Sequence, residues 1–125
     1  MREILFRGKR KTHNEWTCGD LVHCDDKIIC ISNLHGYFVH IKPETVGQFT
    51  GLTDKNGKKI FEGDIVDILT ENEEIGFVAY DDGGFLVKAN GFCVDFHANI
   101  NGTDLEIIGN IHDNPEMLEE VNGNA

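Results

Sequence analysis

Proline occurs only twice in 125 residues, and the longest apolar run, Ile28–Ile31, is four residues. A membrane-crossing helix needs about 20 apolar residues, so none is legible. The opening stretch, residues 1–11, is charged and lacks the apolar segment of an export signal. The expected location is therefore the cytoplasm, and Asn101-Gly102-Thr103 reads as a chance match to a glycosylation acceptor. Cysteine is sparse, at positions 18, 24, 30 and 93, with no Cys-x2-Cys clip. That excludes the common zinc frameworks, and in a reducing compartment the four are expected to be thiols.

Basic residues are also few: 11 Lys and Arg against 22 Asp and Glu, a net charge of −11. Their distribution is uneven. Residues 1–11 hold Arg2, Arg7, Lys9, Arg10 and Lys11 against Glu3, leaving 6 basic and 21 acidic residues in the rest, a net of −15. Such a surface repels phosphate, and phosphate attraction supplies most non-specific nucleic-acid binding. Nucleic acid is thus an unfavoured partner, the basic N-terminal stretch being the one place where an anion could dock.

What is abundant is glycine, fourteen residues, in a chain that is 40% hydrophobic and 26% charged. Those proportions are globular, and 125 residues suit one domain able to bury roughly two thirds of its unfolded surface. No repeat or linker divides it, so residues 1–125 are expected to form a single domain. Short alternating runs, each bounded by turn residues, predict β-strands. Residues 16–24, 28–32 and 37–41 read as a three-stranded meander, and Pro43–Val46 as one helical turn. Asn56-Gly57 is the favoured pair for a two-residue hairpin, both positions taking positive φ.

Five further strands, between about 60 and 112, predict a small barrel with Phe77, Phe85, Val94 and Ile107 inside. Asn114 as cap, Pro115 at the first helical position, and Met117, Leu118 and Val121 on one face predict a C-terminal helix over 114–121. The fold class is mainly β: a small SH3-type antiparallel barrel with an added N-terminal meander and a short C-terminal helix. Several strands carry apolar residues of both parities, such as Ile65 and Val66, which makes homo-oligomerisation a further expectation.

No constellation of catalytic or metal-binding residues stands out. Cys18, Cys24 and Cys30 are each separated by five intervening residues, and a straight strand would separate Cys18 from Cys24 by about 20 Å. Buried small hydrophobes are their expected role. His23 and Cys24 are adjacent, and neighbours on a strand face opposite ways, so they do not form a nucleophile pair. Asp54-Lys55-Asn56-Gly57 starts like a calcium loop, but the glycine comes two positions early. No glycine-rich strand-to-helix turn is present to cradle phosphate.

Three segments resemble the YopX family of phage and prophage proteins. They are Met1-Arg2-Glu3-Ile4-Leu5-Phe6-Arg7, the run from Gly47 through Gly51, Gly57 and Gly63 to Val66, and the run Glu106–Glu116. The central run is the most specific, and residues 12–42 are the least securely matched. The resemblance implies an SH3-type barrel with added elements and carries over no activity, cofactor or site residue. In these runs Gly51, Gly57, Gly63 and Gly109 supply backbone freedom, and Phe49, Ile60 and Val66 supply core.

The reading points to a phage or prophage accessory protein, not an enzyme. It acts as a protein-binding or assembly module on a phage or host protein, with no cofactor, no metal and no catalytic residue assigned, and its binding residues unassigned. The alternatives are a nucleic-acid-binding barrel or an acidic DNA mimic that inhibits a host enzyme.

Overall fold

The computed structural model describes residues 3–25, 28–33, 36–69, 74–81, 83–89, 92–96 and 101–117. The chain divides into two compact units, Met1–Phe49 and Thr50–Ala125. In the first, β1 (Phe6–Lys9), β2 (Trp16–Asp25), β3 (Ile28–Ser32), β4 (Phe38–His40) and the start of β5 (Gly47–Thr53) are hydrogen-bonded in the order β4-β3-β2-β1-β5. The meander expected between 16 and 41 is present. So is the turn at Pro43–Thr45, a single 3-10 turn with Pro43 leading it. The buried Thr45 hydroxyl anchors that turn, donating to the Lys42 carbonyl at 2.6 Å and accepting from the Lys9 amide at 2.9 Å.

Alternation along β1 decides what this unit buries. Gly8 points inward, where a Cβ would meet Ile41 Cδ1 at 2.7 Å, and Ile31 and Ile41 are fully buried. The bonds from the Lys11 amide to the His40 carbonyl (3.1 Å) and from the Lys42 amide to the Lys9 carbonyl (2.8 Å) bring residues 40–42 beside the end of β1.

The second unit contains the rest of β5, then β6 (Lys59–Phe61), β7 (Asp64–Ile68), β8 (Glu74–Asp81), β9 (Gly84–Ala89), β10 (Phe92–Asp95) and β11 (Leu105–Asn110). A five-stranded antiparallel sheet runs β10-β9-β8-β7-β11. The strands expected between 60 and 112 are there, but they do not close: β10 and β11 are the two outer strands, so the sheet is open and not a barrel.

Its core joins Ile60, Val66, Ile68, Val78, Phe85, Val87, Phe96 and Leu105. Phe85 is inside as expected, and Val94 and Ile107 pack against the cluster half-buried. Phe77 is not part of it. The register pairs Val66 with Gly76, which is buried, and the next residue of that parity on β8, Val78, is buried as well, while Phe77 is half-buried opposite Ile65. Side-chain size favoured the Ile75, Phe77, Ala79 parity. The space belongs to Gly76, where a Cβ would lie 2.6 Å from Val87 Cγ1.

The turn between β5 and β6 is built on a buried carboxylate. Asp54 Oδ1 accepts the amides of Asn56 and Lys58 at 2.9 Å each, and Oδ2 accepts the Ile107 amide of β11 at 3.0 Å. Burial pushes this carboxyl up, but the three amides outweigh it, with Lys58 adding attraction, and hold it below the ordinary carboxylate range. The expected two-residue hairpin is therefore replaced by a five-residue connection in which Gly57, at φ 80°, takes positive φ and Asn56 does not. Both Asp54 oxygens serve backbone amides, which is how the calcium-like spacing is used.

Gly51 and Gly63 also have positive φ, whereas Gly109 is needed for close approach, since a Cβ there would lie 2.5 Å from Asn114 Oδ1. At the end of the described chain, Pro115–Met117 forms a 3-10 turn in place of the first turn of the expected α-helix. Leu118 and Val121 lie outside the described residues. No helix among the described residues is long and apolar enough to cross a membrane.

Candidate functional site

The charged chemistry of the first unit begins on β1, where Arg7 and Lys9 are half-buried. Arg7 and Lys9 share the parity opposite Gly8, and the register sets them across from Cys18 and Trp16 of β2. The Arg7 guanidinium lies 4.7 Å from the Trp16 ring centroid and the Lys9 ammonium 5.7 Å. Both distances are within the roughly 6 Å reach of cation–π attraction. One indole thus positions two cations.

Beyond Lys9 the chain turns through residues 11–14, with His13 and Asn14 at φ 68° and 52°. Non-glycine residues enter this left-handed region at a cost. The Lys42 ammonium donates to the Asn14 side chain, and the Arg10 amide donates to the Glu15 carbonyl at 2.8 Å, fixing the turn. On the facing side Asn33 receives the Tyr37 amide on its side-chain oxygen at 3.1 Å, and its own amide donates to the Tyr37 carbonyl at 3.0 Å. That clamp sets Tyr37 and Phe38 at the entry of β4.

Between these segments lies an open cavity of about 540 Å³, lined by Arg10, Lys11, Thr12, Tyr37, Phe38, Val39 and His40. Tyr37 is 70% and Phe38 63% exposed. Large aromatic rings in water, next to two cations and an imidazole, can hold an anionic group beside a flat or apolar one. Arg10 meets Glu15 at 3.9 Å, an exposed pair too weak to neutralise it.

The basic stretch picked out in the sequence is thus used in two ways: Arg7 and Lys9 stack on Trp16, and Arg10 and Lys11 line the cavity. Arg2 lies outside the described residues. Tyr37 and Phe38 were not legible as binding residues. The available signal was their place directly after the Asn33–Gly36 turn, on a strand too short to cover them.

Charge follows the division into units. Residues 1–49 carry seven basic and six acidic side chains, a net of +1, with four of the six histidines; residues 50–125 carry four basic and sixteen acidic, a net of −12.

The cysteines depart from expectation. Cys30 is buried, but Cys18, Cys24 and Cys93 are exposed. The thiol of Cys24 donates to Cys30 Sγ at 2.9 Å. Among the described residues no group of three or more His, Cys, Asp or Glu side chains is placed to hold a metal ion.

The structure is similar to the crystal structure of protein EF1440 from Enterococcus faecalis, with a TM-score of 0.61 and 24% sequence identity over 95% of this chain and all of that one. At that identity the likeness concerns the fold. No curated protein matches the chain. The model of the YopX protein family matches residues 5–119. The chain belongs to the YopX family.

Proposed function

We propose that this protein is a non-enzymatic phage or prophage accessory module whose first unit binds an acidic segment of a phage or host protein. The observation that carries the reading is the 540 Å³ cavity lined by Arg10, Lys11 and His40 together with the exposed Tyr37 and Phe38. Aromatic and Arg side chains are the residue types that anchor protein interfaces.

The same combination also fits single-stranded nucleic acid, through base stacking and phosphate contacts. Charge argues for the protein. A long polyanion brings many charges to a molecule whose net charge is −11, whereas an acidic peptide segment brings only the few charges that the two cations meet.

Affinity capture from a phage-infected lysate, followed by mass spectrometry, tests this with the parent chain and two variants, Tyr37→Ala/Phe38→Ala and Arg10→Ser/Lys11→Ser. The expected result is one protein held by the parent and lost by both variants. A partner retained by both variants places binding elsewhere. Oligonucleotide binding at physiological salt that disappears in both variants replaces the protein reading with the nucleic-acid one.

A further inference from the structure

We infer that Cys24 and Cys30 form a two-thiol redox site that takes a small disulfide oxidant and closes to an intramolecular disulfide. The site is made by an irregularity in the β2–β3 hairpin. The register runs Val22 opposite Cys30 and His23 opposite Ile29, then jumps to Asp25 opposite Ile28. Cys24 is the residue skipped by that shift. A regular pairing would leave it diagonal to Cys30, at a Cα separation of about 7–8 Å, beyond ordinary disulfide reach. The bulge instead brings its sulfur to 2.9 Å from Cys30 Sγ.

That separation discriminates between chemistries. Two thiolates sharing a tetrahedral zinc, with Zn–S bonds of about 2.3 Å, sit close to 3.8 Å apart. At 2.9 Å the sulfurs are also inside the roughly 3.5–4.0 Å at which even carbon atoms pack. A disulfide bond of about 2.05 Å needs less than 1 Å of further approach. Distance therefore favours a covalent bond between the sulfurs over a shared ion.

The two thiols differ in access, which assigns their roles. Cys24 is exposed and meets the oxidant; Cys30 is fully buried and does not. With a disulfide oxidant, the Cys24 thiolate attacks one sulfur, forms a mixed disulfide and releases one thiol. Cys30 gives its proton to solvent, and its thiolate attacks Cys24 Sγ, releasing the second thiol. The protein loses two electrons and two protons, and the oxidant is reduced to two thiols. In the reduced protein the Cys24 contact, then burial, push the Cys30 thiol up to about 11, with Lys11 opposing, which keeps Cys30 protonated until Cys24 has reacted. Its neighbours are Cys24 on β2, Lys11, and His40, its register partner on β4.

The test uses the full chain, reduced and then exposed to a glutathione redox buffer, with peptide mapping under non-reducing conditions. The expected product is a Cys24–Cys30 link with two hydrogens lost, reversed by dithiothreitol. In Cys30→Ala the mixed disulfide on Cys24 should persist at least tenfold longer than in the parent. In Cys24→Ser, a change at an exposed position, Cys30 should stay unmodified in the folded chain. The inference is overturned if the parent accumulates glutathione on Cys24 as stably as Cys30→Ala does. It is equally overturned if the link forms only in denaturant, or if purified protein holds stoichiometric zinc released by oxidation.

Discussion

The two units divide the work of the chain differently. The second carries most of the acidic residues and a continuous aliphatic and aromatic core, and its buried carboxylates Asp54 and Asp64 accept backbone amides. Asp54 takes three amides, and Asp64 accepts the Phe61 amide at 2.7 Å. The first is nearly neutral overall and leaves Tyr37, Phe38 and two cations around an open cavity. It also contains three of the four cysteines.

The family signature, Gly47 to Val66, lies mostly in the second unit and resolves into turn and core. Residues 12–42, where the resemblance is least secure, contain most of the exposed chemistry. A specific motif can thus mark architecture, while the residues proposed to bind lie outside it.

The largest effect expected in the second unit comes from its core. Phe85 is 3% exposed, and Phe85→Ala should cost about 3–5 kcal/mol in urea unfolding. Phe77→Ala, on the half-buried parity, should cost clearly less, about 1–2 kcal/mol, because its ring leaves a smaller cavity. Equal losses would show that both faces of β8 are core.

Next is Asp54→Ala, which strands three backbone amides. Bonds to a charged acceptor contribute about 1.5–3 kcal/mol each and do not simply add, so a loss of about 3 kcal/mol is expected. A loss below 1 kcal/mol would remove Asp54 as the hub of the turn.

The same carboxylate sets a pH dependence. Its folded pKa lies below the unfolded value of about 3.9. The unfolded chain therefore takes up its proton first as pH falls. The contribution of Asp54 is complete above the unfolded value and is lost as pH drops through the lower, folded one. Urea midpoints of the parent and Asp54→Asn, compared from pH 6 downward, should differ most at pH 6 and begin to converge as pH falls below about 3.9. A gap that stays constant would assign the effect to shape and not to charge.

How much of this was legible follows from the kind of interaction. Strand positions were readable because glycine, Asn and Asp turns punctuate short alternating runs, and Pro43 marked its turn correctly. The parity of β8 was not, since ring size pointed to Phe77 while contact with Val87 requires a glycine at 76. Closure into a barrel could not be read from alternation, which is the same in an open sheet. Asn56-Gly57 favoured a tight hairpin until the Asp54 side chain, bonded to an amide 53 residues away, imposed a longer one. The Cys24–Cys30 contact depends on one skipped residue in the register, and no periodic reading detects that.

The smallest expected effect is on the first unit's stability, and it is the sharpest test of the contrast. Tyr37 and Phe38 are more than half exposed, so removing their rings deletes little buried area. Arg10 and Lys11 face an open cavity, and the Arg10–Glu15 pair is exposed on both sides. Surface changes of this kind usually fall within about 0.5 kcal/mol. Tyr37→Ala/Phe38→Ala and Arg10→Ser/Lys11→Ser should each unfold at nearly the parent's urea midpoint while losing the captured partner. A loss above about 2 kcal/mol in the aromatic variant would mean that the rings are core, and the first unit would then be architecture like the second. Stability unchanged together with unchanged capture would leave the face exposed but unused, and would move the search for the partner to the acidic unit.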